Sequence, residues 1–149
     1  MNDPIKLAVL AGAGEEIALG ASSITIKLSG ADTGGAFALM EYVAPPGAGS
    51  PAHTHGREEV TFYVREGGLL FHLGGEEFVA GPGSVVHIPR GLLHDFQNVG
   101  EAPCVAMILA TPAGLEGYFR DLGALVQRGD AATQDDLSAL NRRYGLDFG

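Results

Sequence analysis

The sequence predicts an all-β fold, a closed barrel or sandwich of short strands with a brief helical tail. Three observations predict it. Glycine is abundant, at 23 of 149 residues, with 8 prolines and no collagen-like period. Short runs of alternating or β-branched residues recur every 8–12 residues or so, each closed by a Gly or Pro turn. Helical periodicity is confined to the last third of the chain.

The elements follow in order. The first 20 residues are Ala/Gly-rich and mixed, and Gly12-Ala-Gly14 reads as a plain turn, since a nucleotide loop would need a third glycine between a strand and a helix. Residues 23–28 alternate apolar with polar and form a strand. Residues 31–35 turn, and 37–43 form a second strand that Pro45-Pro46-Gly47 ends, with the loop running on to Pro51. Residues 59–64 are β-branched and aromatic, hence strand. Gly67-Gly68 and Gly74-Gly75 make hairpins that join it to strands over 69–73 and 76–80. Further strands cover 85–88, 94–99 and 104–110. Pro112 opens a helix with Leu115, Phe119, Leu122 and Val126 at helical spacing. Thr133 with Asp136 has the form of a helix N-cap, Leu137, Leu140 and Tyr144 share a face of that last helix, and Gly145 stops it. This organisation is one domain over 1–149, with a barrel over about 20–111 and helices over about 112–145.

Composition narrows the function. Hydrophobic residues make up 46% and charged residues 18%, as in a soluble globular protein. The net charge of −9, with the 9 Lys and Arg scattered, argues against nucleic acid and anionic lipid as partners. No apolar stretch is long enough to span a bilayer. Residues 1–6 carry no targeting segment, so a cytoplasmic location is expected. The single cysteine, Cys104, sits in an apolar run and reads as a buried core residue.

The chemistry is carried by histidines. In His53-Thr54-His55, on an extended segment, the two imidazoles point to the same side and can reach one metal ion. His94 follows a turn fixed by Pro89 and Gly91, and shares a face with Phe96 and Asn98, while Gln97 faces away. His72 and His87 read as wall or surface residues.

The spacing of these residues resembles the cupin superfamily. The second cupin motif is matched throughout by Gly83, Pro89, Gly91, His94 and Asn98, and the first begins with Gly47, His53 and His55. Phe62-Tyr63-Val64 before Glu66-Gly67, and Thr33 to Phe37 upstream, extend the match over roughly residues 20–122, closest to small quercetinase-like cupins. The resemblance implies a jelly-roll barrel, a homodimer, and a divalent metal (Fe, Mn, Ni, Cu or Zn) on His53, His55 and His94.

One departure matters. The glutamate ligand that the resemblance implies at position 60 is replaced by Val60, with Glu58 and Glu59 just before it. Either a β-bulge swings Glu59 inward, as a ligand or as a catalytic general base, or the site has three histidines and no carboxylate. Strand parity favours the second, which would leave the site more positive and favour an anionic ligand. The expected activity is dioxygenase-like, on a small enolizable or phenolic substrate in an apolar pocket of Phe62, Val64, Leu69, Phe71, Phe96 and Met107. The alternatives are a zinc Lewis-acid isomerase or cyclase, and a binding module whose histidines are relics.

Overall fold

A computed structural model describes residues 6–149; residues 1–5, which belong to the stretch read as carrying no targeting segment, lie outside the described residues. Two antiparallel sheets face each other as a jelly roll. The first has the order β1-β2-β3-β10-β5-β8, from Glu15–Leu19, Ser22–Leu28, Ala38–Ala44, Cys104–Thr111, Glu59–Glu66 and Val85–Ile88. The second has the order β11-β4-β9-β6-β7, from Leu146–Asp147, Gly49–His55, His94–Gln97, Leu69–Leu73 and Glu76–Ala80. Among the described residues three α-helices complete the fold, the single turn α1, Gly30–Thr33, then α2, Leu115–Gln127, and α3, Gln134–Arg143, with a 3-10 turn at Gly129–Ala131 between the last two.

Strand alternation builds the core. In β3 and β10 every second residue is buried: Ala38, Met40, Tyr42 and Ala44 on one, Cys104, Ala106, Ile108 and Ala110 on the other. These side chains meet Val60, Phe62 and Val64 of β5 and Leu69 and Phe71 of β6 between the sheets. Phe71 packs edge-on to Phe62 and stacks on Phe78, and such pairs add specific geometry to the area they bury. Cys104 is fully buried, in keeping with a core role, and its thiol is pushed up by that burial.

The predicted strands over 69–73, 76–80 and 85–88 have the boundaries found. Elsewhere the structure departs from expectation. The Ala31–Gly35 turn overlaps α1, which is closed by Gly34 in the left-handed region. The loop expected to last until Pro51 has already become β4 at Gly49. The first tail helix starts at Leu115 rather than Pro112, because Gly114 adopts φ 141°, which no helix continues. Val126, expected on that helix's inner face, is exposed. The Thr133–Asp136 capping box is formed in both directions, and Gly145 ends the last helix region at φ 73°. Strands β1 and β11 were not expected: the first carries two glutamates in its five residues, and the second is a two-residue strand.

The tail matters to the site because it folds back over the barrel mouth. Leu146 pairs with His55 and Asp147 with Thr54 in the β11–β4 ladder. The Gly56 amide donates to the Gly145 carbonyl at 2.8 Å, which anchors the turn after His55 to the tail. The buried Glu116 carboxylate accepts from the amides of Gly114 (2.6 Å) and Gly30 (2.7 Å), clipping α2 to α1. Among the described residues no helix is long and apolar enough to cross a membrane.

Candidate metal centre

His53 and His55 project from β4 and His94 from β9. His53 and His94 are register partners, and the ladder between these strands is irregular between Ser50 and His53. That irregularity lies in β4, not in β5 near Glu59, where an inward carboxylate would require one. The His55 carbonyl accepts from the Gly91 amide at 2.8 Å, so the turn fixed by Pro89 and Gly91 is tied directly to the histidine pair.

All three rings are buried, and one ligating nitrogen from each lies within 4.8 Å of the others. The ring centroids of His53 are 4.9 Å from His55 and 4.3 Å from His94, and those of His55 and His94 are 5.4 Å apart. Two of the rings have their tautomer set by the backbone. His53 Nδ1 lies 2.8 Å from the Pro51 carbonyl and His94 Nδ1 lies 2.9 Å from the Leu92 carbonyl. A carbonyl only accepts, so each Nδ1 carries the proton and each Nε2 presents a lone pair. His53 Nε2 lies 3.1 Å from His55 Nε2. Two nitrogens bound to one ion at about 2.05 Å would be roughly 2.9 Å apart at a right angle and 3.4 Å apart in a tetrahedron, so the observed spacing suits a shared cation. Burial holds His53 down to about 4, and burial also lowers His94; the neutral form that ligates a metal is thereby favoured.

The remaining histidines are not part of this cluster. His72 is exposed and pairs with Asp95 at 2.7 Å, which raises it. His87 is exposed, with Thr61 at 3.0 Å and Glu59 at 3.3 Å.

Glu59 does not turn inward. Its carboxylate sits on the outer face beside His87, and the neighbouring Val60 is buried against the cavity, as uninterrupted β5–β8 pairing at Val60, Thr61, Phe62 and Tyr63 requires. Glu59 is therefore neither a ligand nor a base of this site. Glu58, which sequence reasoning left without a role, is the buried carboxylate here, with Oε2 3.9 Å from His55 Nδ1.

The histidines form one wall of a cavity of about 210 Å³. Of the expected pocket residues, Phe62 and Phe96 line it. Val64, Leu69 and Phe71 point inward but pack completely into the core beyond it. Met107 is a correction of parity: Ile108 faces the cavity, while Met107 faces the opposite side of β10 near Lys27 and Arg65. The rest of the wall comes from residues that were not expected there. Ile24 and Tyr42 come from the first sheet, Leu115, Tyr118 and Phe119 from α2, and Phe148 from beyond β11. Phe148 stacks on His53 at 4.8 Å, forming a roof over the ligand side. Asn98 lies past the strand end, where it donates to the Ala44 and Ala102 carbonyls and accepts from the Gly100 amide.

Comparisons with known proteins agree with this architecture. A family model described as a cupin domain matches residues 40–110. Quercetin 2,3-dioxygenase of Bacillus subtilis is 27% identical over 112 residues, covering 75% of this chain and 33% of that protein. Germin-like protein 1-4 of Oryza sativa subsp. japonica is 32% identical over 136 residues, covering 83% and 55%. The chain thus spans between a third and three fifths of the length of the curated relatives it matches. Among solved structures, KdgF from Halomonas sp. superposes with a TM-score of 0.61 at 18% identity, covering 68% of this chain and 91% of that one. A recombinant oxalate oxidase in complex with glycolate gives 0.52 at 27% identity, covering 61% and 51%.

Proposed function

We propose that the chain is a cupin-superfamily protein and, from that premise, a metal-dependent enzyme acting on a small enolizable or phenolic substrate, with dioxygenase-like chemistry. One observation carries this reading: the buried His53, His55 and His94 open onto a cavity whose wall bears no charged side chain. A divalent ion held by the three imidazoles would supply the positive charge and the open coordination positions to take up two oxygens of a substrate.

The protein's own residues define what enters. Ser22, Ser50 and the hydroxyls of Tyr42 and Tyr118 are the polar side-chain groups besides the histidines, and Tyr118 already donates to Asn141, so the body of the ligand must be apolar. A cavity of about 210 Å³ is small for a ligand pocket and suits one substituted ring or a short diketone. The outward Glu59 leaves no carboxylate in the wall to act as general base, which supports chemistry on a substrate that ionises on binding over isomerisation or cyclisation by a zinc Lewis acid. The same cavity would serve a non-catalytic binder, and turnover separates the two. Purified protein loaded separately with iron, manganese, nickel, copper or zinc is offered diketones, hydroxylated single-ring aromatics and flavonols, with oxygen uptake recorded. Consumption of a diketone or single-ring substrate with a redox metal is expected; ligand retention without turnover under every metal would replace catalysis by binding.

A homodimer is the expected assembly. The edges β7 and β8 carry exposed Val79 and Val85, and uncovered sheet edges favour pairing with a second copy. Light scattering at micromolar concentration should return twice the chain mass, and a monomer there would exclude it.

A further inference from the structure

The three imidazoles are held alike except at one point. The Nδ1 atoms of His53 and His94 each meet a backbone carbonyl, whereas His55 Nδ1 meets none and has no hydrogen-bond partner among the described residues. Glu58 Oε2 lies 3.9 Å away, itself buried and likewise without a partner among the described residues. Glu58 is 3% exposed and His55 6%. Two buried polar atoms, one able to donate and one that only accepts, therefore face each other with nothing else to satisfy either. The gap is about 1 Å beyond hydrogen-bond length, as is common for functional pairs before the ligand that draws them together is bound.

We infer that Glu58 is the positioning residue of His55: its carboxylate accepts the Nδ1 proton, fixes the ring with Nε2 toward His53 and His94, and supplies the negative charge that Val60 withholds. The inference rests on the metal-centre reading above. It also revises one consequence of the missing glutamate ligand. The carboxylate has not left the site but stands one group further from the ion, acting through an imidazole made more electron-rich by its hydrogen bond. The centre is then less positive than three neutral histidines alone, and its preference for anionic ligands is correspondingly weaker.

The position on the chain explains the arrangement. Glu58 lies in the bend after His55, immediately before β5, so it is not bound by the strand alternation that sends Glu59 outward and Val60 inward. Its carboxylate can therefore lie behind the His55 ring while Glu59 pairs with His87 on the outer surface.

The test uses full-length protein, with Zn²⁺ as probe, and the variants Glu58→Gln and Glu58→Leu. Nitrogen-15 spectra of the metal-free protein, in which a proton on His55 Nε2 would instead be donated to the His53 Nε2 lone pair 3.1 Å away, read the tautomer of each histidine, and amide spectra establish that each variant is folded. Wild type should show His55 protonated at Nδ1. Glu58→Leu should lose that preference, and competition against a chelator should show Zn²⁺ bound about 10–100-fold more weakly, with Glu58→Gln between the two. A wild-type His55 protonated at Nε2, or a folded Glu58→Leu that binds Zn²⁺ as tightly as wild type, overturns the inference while the metal centre stands. Wild type that binds no Zn²⁺ removes the metal centre instead, and the tautomer comparison still decides whether Glu58 holds His55.

Discussion

His53 and His94 are opposite one another across the β4–β9 ladder, with ring centroids 4.3 Å apart. The metal centre is thus assembled by strand register: two residues far apart in sequence meet because their strands pair at one offset. A slip of one residue would send one of the rings to the outer face.

Register makes Gly49 a sensitive position. A methyl group there would run into the Phe96 carbonyl and lie 2.7 Å from Gln97 Cα, on the strand that carries His94. Gly49→Ala is expected to destabilise the protein by about 3 kcal/mol, which lowers the melting temperature by roughly 6–12 °C at this chain length. Thermal unfolding measures it, with the exposed Ala52→Ser as a control that should change little. An unchanged melting temperature would mean that β4 and β9 are not paired as described.

Loss of one imidazole leaves two, too few to hold a divalent ion firmly. His53→Ala and His94→Ala should each weaken metal binding by more than about 100-fold, beyond what removal of an outer partner costs. Metal content by mass spectrometry after gel filtration reads this directly. Stoichiometric metal retained in both variants would place the ion elsewhere.

The buried histidines also predict an acid sensitivity of metal-free protein. His53 is held down to about 4 from its ordinary value of 6.5, chiefly by burial. Between those values the unfolded chain binds the proton and the folded chain does not, so stability is full above about pH 6.5 and falls as pH drops toward 4. The loss from His53 alone approaches about 3 kcal/mol, and His94 adds to it in the same direction. The exposed His72, raised by its hydrogen bond to Asp95, works in the opposite direction and is best removed by His72→Gln. Urea midpoints of that background from pH 7 to pH 4 should fall, and His53→Ala should flatten the slope. A midpoint independent of pH in this range would show that the rings are not buried neutral.

Glu116 offers a test away from the histidines. Its two carboxylate oxygens receive the Gly114 and Gly30 amides, and Glu116→Ala leaves the half-buried Gly30 donor and the more exposed Gly114 donor without that acceptor. A loss of about 3 kcal/mol is expected from two charge-assisted bonds, with Glu116→Gln recovering part of it. Denaturant unfolding checks this, and a neutral Glu116→Ala would mean that α1 and α2 are not joined through this side chain.

Much of the barrel and the histidine cluster was legible because strand parity and turn residues are local signals. His53 and His55 share a face by counting, and Pro89 with Gly91 marks the turn before His94. Parity also puts Val60 inward and Glu59 outward, as observed. It failed at Met107, where the run from Cys104 to Ala110 is apolar on both faces and offers no contrast to count from. Counting gives side but not depth, which is why Val64, Leu69 and Phe71 point inward yet miss the cavity. Glu58 lies in a bend, where no period applies. The α2 and β11 contributions depend on where the tail returns, a long-range property that Leu115, Phe119 and Phe148 do not encode in their own spacing.

The placement of Phe148 over His53 has a consequence in time. The ligand side chains are all present once His94 has been synthesised, whereas the roof waits for Phe148, made later. A metal ion offered to the growing chain meets an uncovered barrel. The same ion offered once Phe148 is in place meets a ring stacked on one of its ligands. The roof is therefore felt in the rate at which metal enters and leaves, even where it does not alter how tightly the metal is held.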